Sequence, residues 1–144
     1  MEGQLMEITA NAVQTVNENL NVLFTDTPIS GNCSITHREG SGLVTLRGVT
    51  GQCRARFKVT FGANIAIPTG GTVEPISLAI AIDGEAIATT TMIITPAAVE
   101  EYFNVFSAIY IDIPKGCCST ISVQNVSGAP ILVQNANLII ERVA

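Results

Sequence analysis

Arg54-Ala55-Arg56-Phe57-Lys58-Val59-Thr60-Phe61 is the stretch that decides the fold. Ala55, Phe57, Val59 and Phe61 take every second position, and Arg54, Arg56, Lys58 and Thr60 the positions between. Successive side chains on a strand point to opposite faces, so this pattern describes a strand with one face on a core. The other face carries the basic residues into solvent or an interface. On the C-terminal side, Gly62 to Pro75 holds two prolines and the pair Gly70-Gly71, and reads as a long loop. Ile76-Ser77-Leu78-Ala79-Ile80-Ala81-Ile82 is nearly all apolar, as a central strand is. Asp83-Gly84 follows. Asp-Gly between apolar runs signals a hairpin, because both turn positions take positive φ.

The pattern continues outward in both directions. Ala12 to Asp26 reads as a strand, the polar turn Asn17-Glu18-Asn19 and a second strand. Asn32–His37 and Leu43–Arg47 form a hairpin around Arg38 to Gly42. Ala86 to Thr95 completes the arm begun at Asp83, and Pro96 to Glu101 is a helical turn or a bulged loop. Tyr102 to Ile113, Cys117 to Asn125, Ile131 to Gln134 and Leu138 to Val143 are further strands, and Gln134 to Asn137 reads as a turn. The total is about nine or ten strands at the spacing of a sandwich, with no β-α-β alternation. The expected fold is all-β, a two-sheet antiparallel jelly-roll sandwich. Residues 1–11 are expected as a flexible N-terminal segment, with Met6 an alternative start, and residues 12–144 as one jelly-roll domain.

Composition narrows the role. Of 144 residues, 47% are hydrophobic and only 13% charged, against a usual charged share of about 25%. A lone domain has little charge here with which to cover its surface, which leaves two readings: surface buried against other subunits, or surface covered by Thr, Ser, Asn and Gln. The net charge of −5 argues against nucleic-acid binding. No stretch reaches the roughly 20 apolar residues of a membrane helix. The start, Met1-Glu2-Gly3-Gln4-Leu5, lacks the basic and apolar regions of a signal peptide. The four cysteines are Cys33, Cys53, Cys117 and Cys118. With no signal peptide they are expected as free, mostly buried thiols, with a Cys33–Cys53 bridge open if those strands are neighbours. Cys117 and Cys118 are adjacent and would bridge only with strain.

Chemistry-bearing residues are sparse. His37 is the single histidine, with Glu39 two residues on and Ser34 three back, but no nucleophile elbow accompanies it. A polar residue at a hairpin tip explains it. Glu100-Glu101-Tyr102, with Asp112 or Glu74, would make a carboxylate pair; a sugar cleft also wants aromatics, and the chain has no Trp and two Tyr. Asp83, Glu85 and Asp26 are calcium-ligand candidates without EF-hand spacing. The expectation is therefore no catalytic, cofactor-binding or metal-binding residue, and no enzyme.

A resemblance adds to this reading. The arm Ile80-Ala81-Ile82-Asp83-Gly84-Glu85-Ala86-Ile87, the run Ile121-Ser122-Val123-Gln124-Asn125-Val126-Ser127-Gly128 and the closing strand Leu138-Ile139-Ile140-Glu141-Arg142-Val143 resemble the heads of the tumour-necrosis-factor-like superfamily. They resemble more closely the trimeric heads of collagen-like spore-surface proteins. The match spans residues 54 to 143. The sequence departs from it in lacking a Gly-x-x stalk and the aromatic richness of receptor-binding members. Cys33 to Gly42 and Thr95 to Phe103 are also similar to small uncharacterised phage and prophage structural proteins of gut Firmicutes.

This resemblance implies a homotrimeric surface module: a phage capsid decoration or head-fibre protein on the virion surface, with the major capsid protein as a partner. It is made in the bacterial cytoplasm and released by lysis. The alternative is a bacterial cell- or spore-surface head that binds a glycan or protein through loops 62–75 and 94–101. Ile76–Ile82 and Tyr102–Ile113 are the candidates for core and trimer axis.

Overall fold

A computed structural model describes residues 5–30 and 33–144. The strands are β1 (Leu5–Ala10), β2 (Gln14–Val16), β3 (Asp26–Ile29), β4 (Ile35–His37), β5 (Val44–Arg47), β6 (Arg54–Ala66), β7 (Ile76–Ile82), β8 (Glu85–Ala86), β9 (Met92–Ile94), β10 (Phe103–Pro114), β11 (Cys118–Asn125) and β12 (Ile131–Arg142). Among the described residues these form two antiparallel six-stranded sheets. Sheet A runs β10-β6-β12-β1-β3, with β2 also on β12; sheet B runs β4-β5-β11-β7-β8, with β9 also on β7. This is the two-sheet jelly-roll sandwich that the sequence predicts.

The alternation in β6 does what its pattern dictates. Ala55, Phe57, Val59 and Phe61 are all fully buried, and they join Ile8, Ile140, Leu138 and Val133 of sheet A in one core. Sheet B contributes Leu78, Ile80, Ile121, Val123, Val44 and Leu46 to the same core. Deleting a large core side chain such as Phe61 costs about 3–5 kcal/mol, through lost burial and the cavity left behind. Asp83 and Gly84 have φ of 52° and 84°, so both turn positions adopt the left-handed conformation expected of the Asp-Gly hairpin.

The second strand expected before Asp26 does not form there: that run holds one bridge, Asn21 to Gln124, and β3 begins at Asp26. Four further expectations change. The strand that begins at Arg54 runs on through Gly62 to Ala66, so the long loop covers only residues 67–75. Gly62 sits in mid-strand, opposite Phe106 on one side and Asn137 on the other. The two strands expected over 131–134 and 138–143 are one, β12, with a bulge where the register shifts between Gln134 and Asn137. Asn135 absorbs that bulge with a φ of 57°, a conformation asparagine tolerates better than most residues. The return arm after Asp83-Gly84 is broken: Ala88–Thr90 form a 3-10 turn. Its Thr90 Oγ accepts from the Ile80 amide at 2.9 Å and donates to the Ile87 carbonyl at 2.7 Å, so a side chain serves the edge of β7 between β8 and β9.

The fourth change concerns the N-terminus. Leu5–Ala10, part of the segment expected as a flexible extension, is a strand between β12 and β3. Met6, Ile8 and Ala10 face the core at 3% exposure or less, and their burial holds the segment in the sheet. Residues 1–4 of that expected segment lie outside the described residues.

Candidate interaction face

The outward face of sheet A is built by the same parity that fills the core. With Ala55 to Ile65 pointing inward at odd positions, β6 turns Arg54, Arg56, Lys58, Thr60, Gly62 and Asn64 outward. The register lays cross-strand rows beside them. Phe106, Gly62, Asn137 and Thr9 make one row; Ala108, Thr60, Ile139 and Glu7 the next; Tyr110, Lys58, Glu141 and Leu5 the third. Phe106 is 64% exposed, Tyr110 63% and Ile139 40%. Gly62 lies beside Phe106, and a Cβ there would meet only the Val105 carbonyl, at 3.7 Å. Its φ is not in the left-handed region. Packing within the chain therefore does not require glycine at this position; what it leaves is a gap in the face next to an exposed ring. Glycine inside a strand marks a place where another backbone or a ligand comes close.

The rows mix Phe106, Ala108, Tyr110 and Ile139 with Lys58, Glu7 and Glu141, and polar groups close both ends of the face. At one end four asparagines cross the sheet in a directed amide ladder. Asn104 Nδ2 donates to Asn64 Oδ1 at 3.2 Å, Asn64 Nδ2 to Asn135 Oδ1 at 3.0 Å, and Asn135 Nδ2 to Asn11 Oδ1 at 2.6 Å. At the other end Arg56 grips Asp112 with Nε on Oδ1 at 2.8 Å and Nη2 on Oδ2 at 3.1 Å. Arg54 Nε adds a contact to Oδ2 at 3.2 Å. The Arg56 hydrogen bond, with the charges of Arg56 and Arg54, holds the Asp112 carboxyl below its usual range; the same bond raises Arg56. Exposed aromatics bordered by polar groups are a feature of protein–protein interfaces. The basic residues of β6 thus occupy the rim and middle of one face, and two of them share a single carboxylate.

The chemistry-bearing residues do not converge. His37 is partly buried at the end of β4; its Nε2 contacts the Ser41 carbonyl at 2.8 Å and its ring meets Phe24 edge-on. Glu39 is exposed and Ser34 is fully buried, so the three line no common cleft. Glu100 takes a φ of 57° and its amide donates to the Ile67 carbonyl at 2.7 Å, bracing the 67–75 loop. Asp112 stands at the far end of β10 from Glu100 and Glu101, about 30 Å away at strand rise, so the carboxylate pair with Asp112 does not form. Glu74 lies in the 67–75 loop, where it helps line an open groove of about 250 Å³ with Ile67, Pro68, Gly71 and Pro130. Asp83 Oδ1 accepts from the Thr120 amide at 2.9 Å. Asp83 and Glu85 belong to sheet B and Asp26 to sheet A, so the calcium candidates are not assembled. Among the described residues no three His, Cys, Asp or Glu side chains are grouped to hold a metal ion.

The cysteines depart from expectation. All four are free, but all four are exposed rather than buried. Cys33 leads into β4 in sheet B and Cys53 into β6 in sheet A. Those strands are not neighbours, so the condition for a Cys33–Cys53 bridge is not met.

No family model matches the chain, and no curated protein matches it. Solved structures do. A tumour-necrosis-factor protein, Eiger from S. frugiperda, aligns with a TM-score of 0.72 at 11% identity, over 98% of this chain and 92% of that one. The globular domain of a zebrafish complement 1qA protein aligns at 0.64 and 11% identity, over 98% and 96%. The PRD1 vertex protein P5 aligns at 0.54 and 10% identity, over 97% and 96%. Among the described residues no helix is long and apolar enough to cross a membrane. Identities this low establish the fold alone, and the fold is the tumour-necrosis-factor-like jelly roll.

Proposed function

We propose that this chain is a structural and binding head that assembles as a homotrimer through the outward face of sheet A and serves as a virion-surface module, a capsid decoration or head-fibre protein. The observation that carries the proposal is the face itself. Phe106 and Tyr110 stand more than 60% exposed beside the unforced Gly62, between an asparagine ladder and an Arg–Asp cluster. Exposed aromatics centred in a polar rim are the residues that dominate association energies. The charge-poor composition supports the same reading. The virion setting draws support from the likeness to a viral vertex protein. No catalytic, cofactor or metal role is assigned to any residue.

The groove under the 67–75 loop favours a second reading, a cell- or spore-surface head that holds a glycan or a protein segment at that end of the sandwich. One experiment separates the two. Particles from the cells that make this chain are banded by density and probed for it with an antibody. The virion reading expects the chain in the particle band at a fixed ratio to the major capsid protein. Its confinement to cell envelopes would overturn that reading and favour the second.

A further inference from the structure

All four cysteines gather at one pole of the sandwich. The Gly48 amide donates to the Cys117 carbonyl at 2.9 Å, the Gly116 amide to the Gly48 carbonyl at 3.1 Å, and the Lys115 amide to the Cys53 carbonyl at 2.9 Å. The 48–53 loop therefore lies directly on the 114–117 turn. Gly48 makes this approach possible, since a Cβ there would fall 2.2 Å from the Pro114 carbonyl oxygen. Cys118 pairs with Arg47 on one side of β5. On the other side the Arg47 amide donates to the Ser34 carbonyl at 2.9 Å, and Arg47 Nη1 reaches the Cys33 carbonyl at 3.4 Å.

This arrangement limits pairing within one chain. Cys33 is separated from Cys117 and Cys118 by the width of β5, which is two strand spacings or about 10 Å. A disulfide needs Cα atoms closer than about 7 Å. Adjacent Cys117 and Cys118 bridge only with strain, and Cys53 can serve one partner at most. At least two thiols are thus left over on the surface. Cysteine is ordinarily among the most buried of residues, and none of these side chains belongs to the core. Leftover exposed thiols fit pairing between molecules.

We infer that this pole is a covalent locking site between copies of the chain, closed by interchain disulfides. The inference rests on the self-association through sheet A proposed above. β6 and β10, which carry that face, both end at this pole, at Arg54 and Pro114. A threefold assembly across the face, with its axis along these strands, brings the same pole of every copy to one end. The oxidant is a low-molecular-weight disulfide, and exposed Arg47 and Lys115 at the same pole suit one that carries carboxylates. A thiolate of one chain attacks the small disulfide, breaking its S–S bond and releasing one small thiol. A thiolate of a second chain then attacks the mixed disulfide, forming the interchain S–S bond and releasing the second small thiol. Two protein thiols lose two electrons and two protons, and the small disulfide gains them.

The test uses the full chain with oxidised glutathione or with dithiothreitol. Native mass by light scattering under dithiothreitol reports the self-association, and a non-reducing denaturing gel after oxidation reports the lock. The expectation is an assembly under reduction that becomes covalent species of two and three chains on oxidation. The Cys33→Ser/Cys53→Ser/Cys117→Ser/Cys118→Ser variant keeps the native mass and runs as single chains. Single chains from the oxidised wild type, carrying an internal bridge or glutathione by intact mass, overturn the lock while leaving the self-association standing. An open ladder of many chain lengths overturns it as well. A reduced protein that is monomeric overturns the self-association, and with it the lock.

Discussion

The outward faces of the two sheets come from the same alternating pattern and end in opposite surfaces. On sheet A the rows present Phe106, Ala108, Tyr110 and Ile139 around Gly62 and Thr60. On sheet B the outward rows across β5, β11 and the middle of β7 are small: Ala81 stands opposite Ser122, Ala79 opposite Gln124, and Thr120 opposite Thr45. Ala79, Ala81 and Ser122 are buried, although the alanines lie outside the core cluster. Their neighbours are enough to cover side chains so short. One face is finished by its own chain; the other leaves aromatic rings uncovered. Burial of apolar area is worth roughly 25 cal/mol per Å², so sheet A, with its cluster of exposed rings, has more to gain from a partner than sheet B, whose large exposed apolar strand residue is Ile93 on β9.

Four experiments can break or sharpen this contrast. The largest effect is expected from Phe106→Ser/Tyr110→Ser. Buried aromatic anchors contribute about 2 kcal/mol or more each, so the double variant loses association by at least about 1000-fold. It does so with an unchanged far-ultraviolet spectrum, read by sedimentation over a dilution series. Next is a matched pair: Thr60→Lys in the middle of the sheet A face and Thr45→Lys on sheet B. The first is expected to weaken assembly by about tenfold or more, through an unpaired buried charge, and the second to leave it unchanged. Equal effects would erase the distinction between the faces.

Gly62→Val is subtler. A Cβ has room there and valine favours strands, so the monomer's thermal midpoint holds or rises while association weakens. The smallest effect concerns the rim. The Asp112 carboxyl is held low by Arg56 in the fold, so the unfolded chain binds its proton more readily. Its contribution to stability is full above the ordinary carboxylate value of about 3.9 and is lost as pH falls through the lowered one. The wild-type thermal midpoint should fall slightly more steeply than that of Asp112→Asn between about pH 5 and about pH 3. High salt should shrink the difference, since the pair is exposed.

Much of the fold is legible in the residues because burial and turn chemistry act locally. Phe57, Val59 and Phe61 announce their face by parity, and Asp83-Gly84 announces its turn by conformation. Gly62 to Ala66 was harder to read, because glycine and asparagine there look like loop chemistry. In the fold the Asn64 amide is satisfied by Asn104 and Asn135 from other strands. The Asn135 bulge has the same origin: a residue that suits turns sits where a strand must shift register. Leu5–Ala10 alternates in the sequence too, but only its pairing with β12 and β3 shows that the alternation is used. The interaction face was only half visible. The apolar strand Tyr102–Ile113 stands out in the sequence as a candidate for core or axis, whereas the rows that place Phe106 beside Gly62 exist only once the register is known.

The central claim is that copies of this chain meet across the outward face of sheet A. The most direct measurement is native mass by light scattering, under reducing conditions, of the wild type and of Phe106→Ser/Tyr110→Ser side by side. The account predicts three chains for the wild type and one for the variant. A wild type at the mass of one chain, or a variant still at three, would contradict it.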